Sequence, residues 1–185
     1  MKNILLIHGY NGIPQIFSYF KYELEERGYN VIIPEFPIKT DITTKGFFEV
    51  FDKYKEYFND ELIVVAHSIG NPMFVKYISE NNLNIDTYIS LAGFGRPFIK
   101  EGRDDLNSVI SLIKINGMEK EKFAKLVRNK YSIYSNNDHI VPLELLKEFS
   151  TDINSESIFI EGIGHMGSKS GLEKLPKVVE IIDNI

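Results

Sequence analysis

Short apolar runs alternate with amphipathic stretches along the whole chain. The runs cover residues 4–7, 31–33, 62–66, 88–91, 131–134 and 157–160. They are rich in isoleucine and valine and mostly lack period-two alternation. Strands buried on both faces of a helix-covered parallel sheet read this way. Between the runs, apolar residues recur at helical spacing. In 14–28, Ile16, Phe20 and Leu24 share a face, with Glu23, Glu25, Glu26 and Arg27 elsewhere, and Gly28 stands where a helix-ending glycine belongs. Further helices are predicted over 46–58 and 72–80. A fourth carries Leu106, Val109, Ile110 and Ile113, is broken at Gly117 and resumes over 119–129. Two more cover 142–149 and 171–185.

Strict alternation of the two element types implies βαβ units with right-handed crossovers. The expected fold is α/β: a three-layer sandwich around a doubly wound, mainly parallel sheet of about six strands. Residues 1–185 read as a single domain, without internal repeat, low-complexity tract or linker. One segment departs from the rhythm. Residues 93–130 place two helices between strands, which is either a small lid over a site or a pair of packing helices with no gating role.

Composition narrows the chemistry. The chain has 185 residues, a net charge of −5 and no Lys/Arg run, so nucleic acid is not an expected partner. It has no cysteine, which excludes disulfides, thiolate metal sites and a cysteine nucleophile. The opening residues stop after four apolar positions at His8-Gly9, so they read as a first buried strand rather than a leader. No stretch approaches the length of a membrane span. A cytoplasmic protein is the resulting expectation.

In a sheet of this kind ligands bind beyond the carboxyl ends of the strands, so the residues just after each run are the candidates. After the third run comes Ala66-His67-Ser68-Ile69-Gly70, with Asn71-Pro72 opening a helix. Small residues two before and two after a serine suit a tight strand–turn–helix that leaves the hydroxyl exposed, with Ala66 in place of the usual first glycine. Taken alone, Ser68 also reads as an ordinary helix N-cap. After the fifth run comes Ser135-Asn136-Asn137-Asp138-His139-Ile140-Val141-Pro142, where Asp138 is either a turn residue or an acid that orients a base. After the sixth comes Glu161-Gly162-Ile163-Gly164-His165-Met166-Gly167, a histidine held between glycines. Serine, aspartate and histidine occur in that chain order, each beyond a strand. This points to Ser68 as nucleophile, His165 as general base and Asp138 as its partner. The loop His8-Gly9-Tyr10-Asn11-Gly12 is expected to supply one oxyanion-hole donor, the Tyr10 N–H, beside the N–H of Ile69. That loop lacks the spacing of a nucleotide-binding glycine motif.

With these residues the chain resembles the α/β-hydrolase superfamily over essentially its whole length. More narrowly, it resembles the small serine hydrolases of the retinoblastoma-binding protein 9 and bacterial YdeN-like type. The resemblance rests on Ile7-His8-Gly9-Tyr10, Val65-Ala66-His67-Ser68-Ile69-Gly70, the Ser135–Pro142 stretch quoted above and Gly164-His165. It implies a Ser68-His165-Asp138 triad, a nearly lidless fold and esterase-like activity. Members often carry an aromatic after the histidine, where this chain has Met166.

The expected reaction is hydrolysis of carboxylic esters of small or flexible acyl groups through an acyl-enzyme. The alternatives are a thioesterase or peptidase-like hydrolase with the same triad, or a non-catalytic interaction module on the same fold. Tyr10, Phe94, Phe98, Ile140 and Met166 are candidate walls of the acyl pocket. His8 is expected to brace the oxyanion loop, His67 to pack or hydrogen-bond behind the turn, and His139 to face solvent. No cofactor and no metal are called for, since no H-x-H or H-E-x-x-H spacing occurs.

Overall fold

A computed structural model of the chain describes residues 1–167 and 170–185. Six strands form one sheet: β1 (Asn3–Ile7), β2 (Asn30–Ile32), β3 (Ile63–His67), β4 (Ile85–Leu91), β5 (Val127–Tyr134) and β6 (Glu156–Phe159). All neighbours run parallel, in the order β2-β1-β3-β4-β5-β6. The central strands are buried along their whole length, which is why their sequences are continuous apolar runs rather than alternating ones.

Seven α-helices connect and cover the strands: α1 (Ile16–Glu25), α2 (Thr44–Lys53), α3 (Gly70–Asn81), α4 (Asp104–Ile110), α5 (Gly117–Leu126), α6 (Leu143–Asp152) and α7 (Pro176–Asp183). The chain moves one way across the sheet from β1 to β2, and the other way from β2 onwards. Right-handed crossovers therefore put α1 on one face and α2, α3, α5 and α6 on the other. The packing agrees: α1 meets α7, whereas α3 meets both α2 and α5. Aromatic rings fill the second face. Phe51 and Tyr77 lie 4.8 Å apart between α2 and α3, and Phe74 stacks on Tyr88 of β4 at 5.5 Å.

The helix ends follow local chemistry more closely than apolar spacing alone suggested. Gly28 takes φ +84° just past α1, as its glycine predicted. The helix expected over 46–58 starts earlier, because Thr43 caps it by accepting the Gly46 N–H at 3.0 Å, and it ends at Lys53. Gly117 does not merely break a helix but opens α5. Asn116 accepts the Glu119 N–H, and Glu119 accepts the Asn116 N–H in return, a capping box. The same helix stops at Leu126 rather than 129, since Val127 pairs with Ile85 as the first residue of β5. The last helix begins at Pro176, whose fixed φ suits a first turn. Among the described residues no helix is long and apolar enough to cross a membrane.

The reversal of direction leaves a crevice beyond the carboxyl ends of β1 and β3. Ile7 pairs with Ala66, so the loops after Gly9 and Ser68 emerge side by side.

Candidate active site

Ser68 follows β3 with φ +53°, a left-handed conformation that costs a serine of order 1–3 kcal/mol. Its main chain shows how the strain is held. The Ser68 N–H donates to the Leu91 carbonyl of β4 at 2.9 Å. Its own carbonyl accepts the Asn71 side-chain N–H at 2.8 Å, and that amide also reaches the Leu91 carbonyl at 3.1 Å. Tyr88 then donates to the Asn71 amide oxygen at 2.6 Å, so the turn rests on a satisfied, buried polar group. Two glycines allow the close approach. A Cβ on Gly70 would lie 2.8 Å from both the His8 carbonyl and Ile7 Cγ2, and one on Gly9 would lie 2.9 Å from Ser68 Cβ.

Beyond β6, Gly162, Gly164 and Met166 all adopt positive φ, at 78°, 61° and 56°. This contorted loop presents His165, whose Nε2 lies 3.0 Å from Ser68 Oγ. The His165 Nδ1 lies 2.8 Å from Asp138 Oδ2, beyond β5. A carboxylate only accepts, so Nδ1 carries the proton and Nε2 is left to accept from the serine hydroxyl. The other Asp138 oxygen accepts the N–H groups of Ile140 and Val141 at 2.8 and 2.9 Å. Burial pushes the Asp138 carboxyl up, but these bonds and the neighbouring imidazole outweigh it and hold it below its ordinary value.

The loop after β5 does more than carry Asp138. Asn137 Oδ1 accepts the Gly164 N–H at 2.8 Å, Ser135 Oγ accepts the Ile163 N–H at 3.2 Å, and Asn136 Oδ1 accepts the Gly162 N–H at 3.2 Å. Three successive side chains thus grip three successive amides. Sequence reading missed them because a Ser-Asn-Asn run looks like ordinary turn chemistry.

His8 accepts the Phe36 N–H on Nε2 at 3.0 Å and approaches the Gly9 carbonyl through Nδ1, also at 3.0 Å, bracing the loop as expected. Burial lowers its pKa, which suits a neutral ring that must accept. His67 lies behind the turn, with Nε2 2.8 Å from the His165 carbonyl. Exposed His139 stands beside the cleft, its ring 6.1 Å from that of His165. Among the described residues, neither the Tyr10 nor the Ile69 N–H is donated to a protein acceptor.

A cleft of about 470 Å³, mouth included, opens over Ser68 and His165, with Tyr10, Asn11, Arg103 and Ile140 on its walls. Three expected wall residues lie elsewhere. Met166 is fully buried because its left-handed backbone turns the side chain into the core. Phe94 is buried too, with Phe98 edge-on to it at 5.3 Å, and neither borders the cleft. Arg103 and Leu106, unanticipated, bring the start of α4 to the opening. Arg103 pairs with Asp105 at 3.0 Å, and Tyr10 donates to Asp105 at 2.8 Å, joining α4 to the β1 loop. The guanidinium and then the Tyr10 hydroxyl hold the Asp105 carboxyl well below the usual carboxylate range. Among the described residues no three acids or histidines converge as a metal site would.

A doubly wound parallel sheet with a serine on a strained strand-to-helix turn, facing an imidazole and a carboxylate from later strands, defines the α/β-hydrolase type. The chain belongs to the serine hydrolase family, whose model matches residues 4–184. It is 20% identical to the YdeN protein of Bacillus subtilis strain 168 over 185 residues, covering 98% of this chain and 94% of that one. The crystal structure of the ydeN gene product superposes with a TM-score of 0.86, covering 100% of this chain and 98% of the other at 20% identity. A carboxylesterase structure from the thaumarchaeon Nitrososphaera gargenis matches with a TM-score of 0.74 at 16% identity, covering 99% and 89%. The chain is therefore an enzyme, a hydrolase of this type.

Proposed function

We propose that the chain hydrolyses carboxylic esters of small or flexible acyl groups, with Ser68 as nucleophile, His165 as general acid and base, and Asp138 as the orienting acid. The supporting observation is the unbroken line of hydrogen bonds from Ser68 Oγ through both nitrogens of His165 to Asp138, at 3.0 and 2.8 Å. In this reading His165 Nε2 takes the serine proton as Oγ attacks the ester carbonyl. The ring becomes an imidazolium facing the buried Asp138 carboxylate, which stabilises it. The negative oxygen settles on the N–H groups of Tyr10 and Ile69, neither of which has a protein acceptor among the described residues. The proton then passes to the leaving alcohol oxygen as the C–O bond breaks. Water repeats the cycle on the acyl-serine, releasing the acid and restoring the hydroxyl.

The small-acyl preference is favoured by the modest cleft, narrowed by Arg103 and Leu106. Among the described residues, the segment 93–130 borders the cleft through Arg103 and Leu106 at the start of α4, whereas α5 packs against α3. We take 1–185 as one catalytic domain in which α4 is a minimal cap and α5 a covering helix. The partner in this reading is a small-molecule ester, and no cofactor takes part.

A fluorophosphonate probe with adduct mapping by mass spectrometry tests the reading, alongside a panel of esters and thioesters of increasing acyl length. Labelling confined to Ser68, lost in His165→Ala, is expected. Ser68→Ala should lower turnover by about 10⁶-fold. Full activity in Ser68→Ala would overturn the mechanism, and preference for acyl chains above about ten carbons would overturn the small-acyl assignment.

A further inference from the structure

One buried side chain at the site has no step in this reaction. His67 is 5% exposed and lies between the Ser68 turn and the His165 loop, its ring 5.0 Å from that of His165. Its Nε2 lies 2.8 Å from the main-chain carbonyl of His165. A carbonyl only accepts, so Nε2 carries the proton and Nδ1 keeps a lone pair. That Nδ1 is buried and has no hydrogen-bond partner among the described residues. Burial, reinforced by the nearby His165, pulls the pKa of His67 down to about 3, so the ring stays neutral near pH 7. A buried imidazole with one orphaned nitrogen costs stability that an apolar residue would not. What the imidazole adds over an apolar residue is a single donor, aimed at the peptide of the base.

The rest of the loop shows why that donor matters. Ser135, Asn136 and Asn137 hold the amides of residues 162–164 from the β5 side. None of them reaches the carbonyl of His165 itself. That hold comes from the nucleophile's covalent neighbour. We infer that His67 is a positioning residue: its Nε2–H ties the His165 main chain to the Ser68 turn and so sets the Oγ–Nε2 separation at which the proton is transferred. This inference rests on the Ser68-His165-Asp138 reading above.

The test compares His67→Phe, which fills the ring's space without a donor, with His67→Gln, whose amide nitrogen falls near the position of Nε2. The Phe variant should lower kcat by about 10- to 100-fold, the cost of a misplaced reacting group. Its KM should stay within about threefold, because ground-state binding is untouched. The Gln variant should recover most of kcat. The far-downfield proton resonance of the His165–Asp138 bond should persist in wild type and His67→Gln and weaken in His67→Phe. Gly167→Ala probes the same contact from the other side, since its Cβ would lie 3.3 Å from His67 Cε1 and 3.6 Å from His165 Cδ2. It should lower kcat with little change in melting temperature, and it decides the matter if His67→Phe fails to fold. Wild-type kcat and an intact downfield proton in a folded His67→Phe, or in Gly167→Ala, would overturn the inference. So would a His67→Gln as slow as His67→Phe. Labelling of Ser68 in the wild type separates the two claims. Its absence sinks the triad reading, while labelled Ser68 with activity indifferent to His67 sinks the positioning role alone.

Discussion

The Ser68 turn and the His165 loop meet across 3.0 Å, yet they are built in opposite ways. The turn is fixed by the sheet. Its amide is spent on β4, its carbonyl on a buried asparagine, and its Gly70 presses against the end of β1. The loop has almost no sheet of its own beyond Phe159. It is shaped by three left-handed residues and hung from side chains of the neighbouring loop. Ser68 is thus located by close packing, which tolerates little change in volume. His165 is located by individual hydrogen bonds, each of modest net value. Damage to the first should appear as lost stability and lost activity together. Damage to the second should appear mainly as lost activity.

Acid gives the largest separation between the two. The folded pKa of His67 is about 3 against 6.5 for the free side chain, so between those values the unfolded chain binds one more proton than the native one. Stability associated with neutral His67 is complete above about pH 6.5 and is lost as pH falls towards about 3, at most about 5 kcal/mol over the window. Asp138 is depressed relative to a free carboxyl, so its contribution is present above the ordinary carboxylate range and disappears only below it. Denaturant unfolding at about pH 7 and about pH 4 should show a steep loss in the wild type and a shallower one in His67→Gln. Equal slopes would mean that His67 is not held neutral by the fold.

Next in size is Gly70→Ala. The added methyl meets a carbonyl and an isoleucine that cannot step aside, so about 1–3 kcal/mol of stability should go, with kcat down about 100-fold. Smallest is Asn137→Ala, which frees the Gly164 N–H. Stability should fall by about 1 kcal/mol and kcat by about tenfold, with KM little changed. Thermal melts and steady-state kinetics on both variants check the contrast. A larger stability loss in Asn137→Ala than in Gly70→Ala would reverse it.

The same contrast explains what could be read from the sequence. Six strands and their parallel arrangement were legible because double-sided burial leaves continuous apolar runs, and that signal is local. The serine turn was legible because close approach forces small residues at fixed offsets from Ser68. Asp138 and His165 were legible only jointly, through chain order and position beyond strands. Asn136 and Asn137 escaped notice because their partners, Gly162 and Gly164, lie more than twenty residues away and nothing local marks the pairing. The pocket was the least legible part. Met166 adjoins His165 in sequence and Phe94 lies in the loop after β4, but the path of the backbone decides whether such a side chain faces the cleft or the core. Met166 shows the effect at φ +56°. Arg103 reached the cleft through the placement of α4, a tertiary fact without local signature.

The junction of α5 and β5 carries a consequence for how such a chain can change length. Leu126 ends the helix and Val127 starts the strand, with no residue between them. One inserted residue there would rotate the helix by about 100° or turn every β5 side chain to the opposite face, and Asp138 would leave His165. The stretch from Arg96 to Arg103 has no such constraint, being free of helix and strand and ending at the cleft. Insertions can accumulate there without moving Ser68, Asp138 or His165. The fold thus keeps its spacing rigid on one side of α4 and α5 and leaves the other side open to growth.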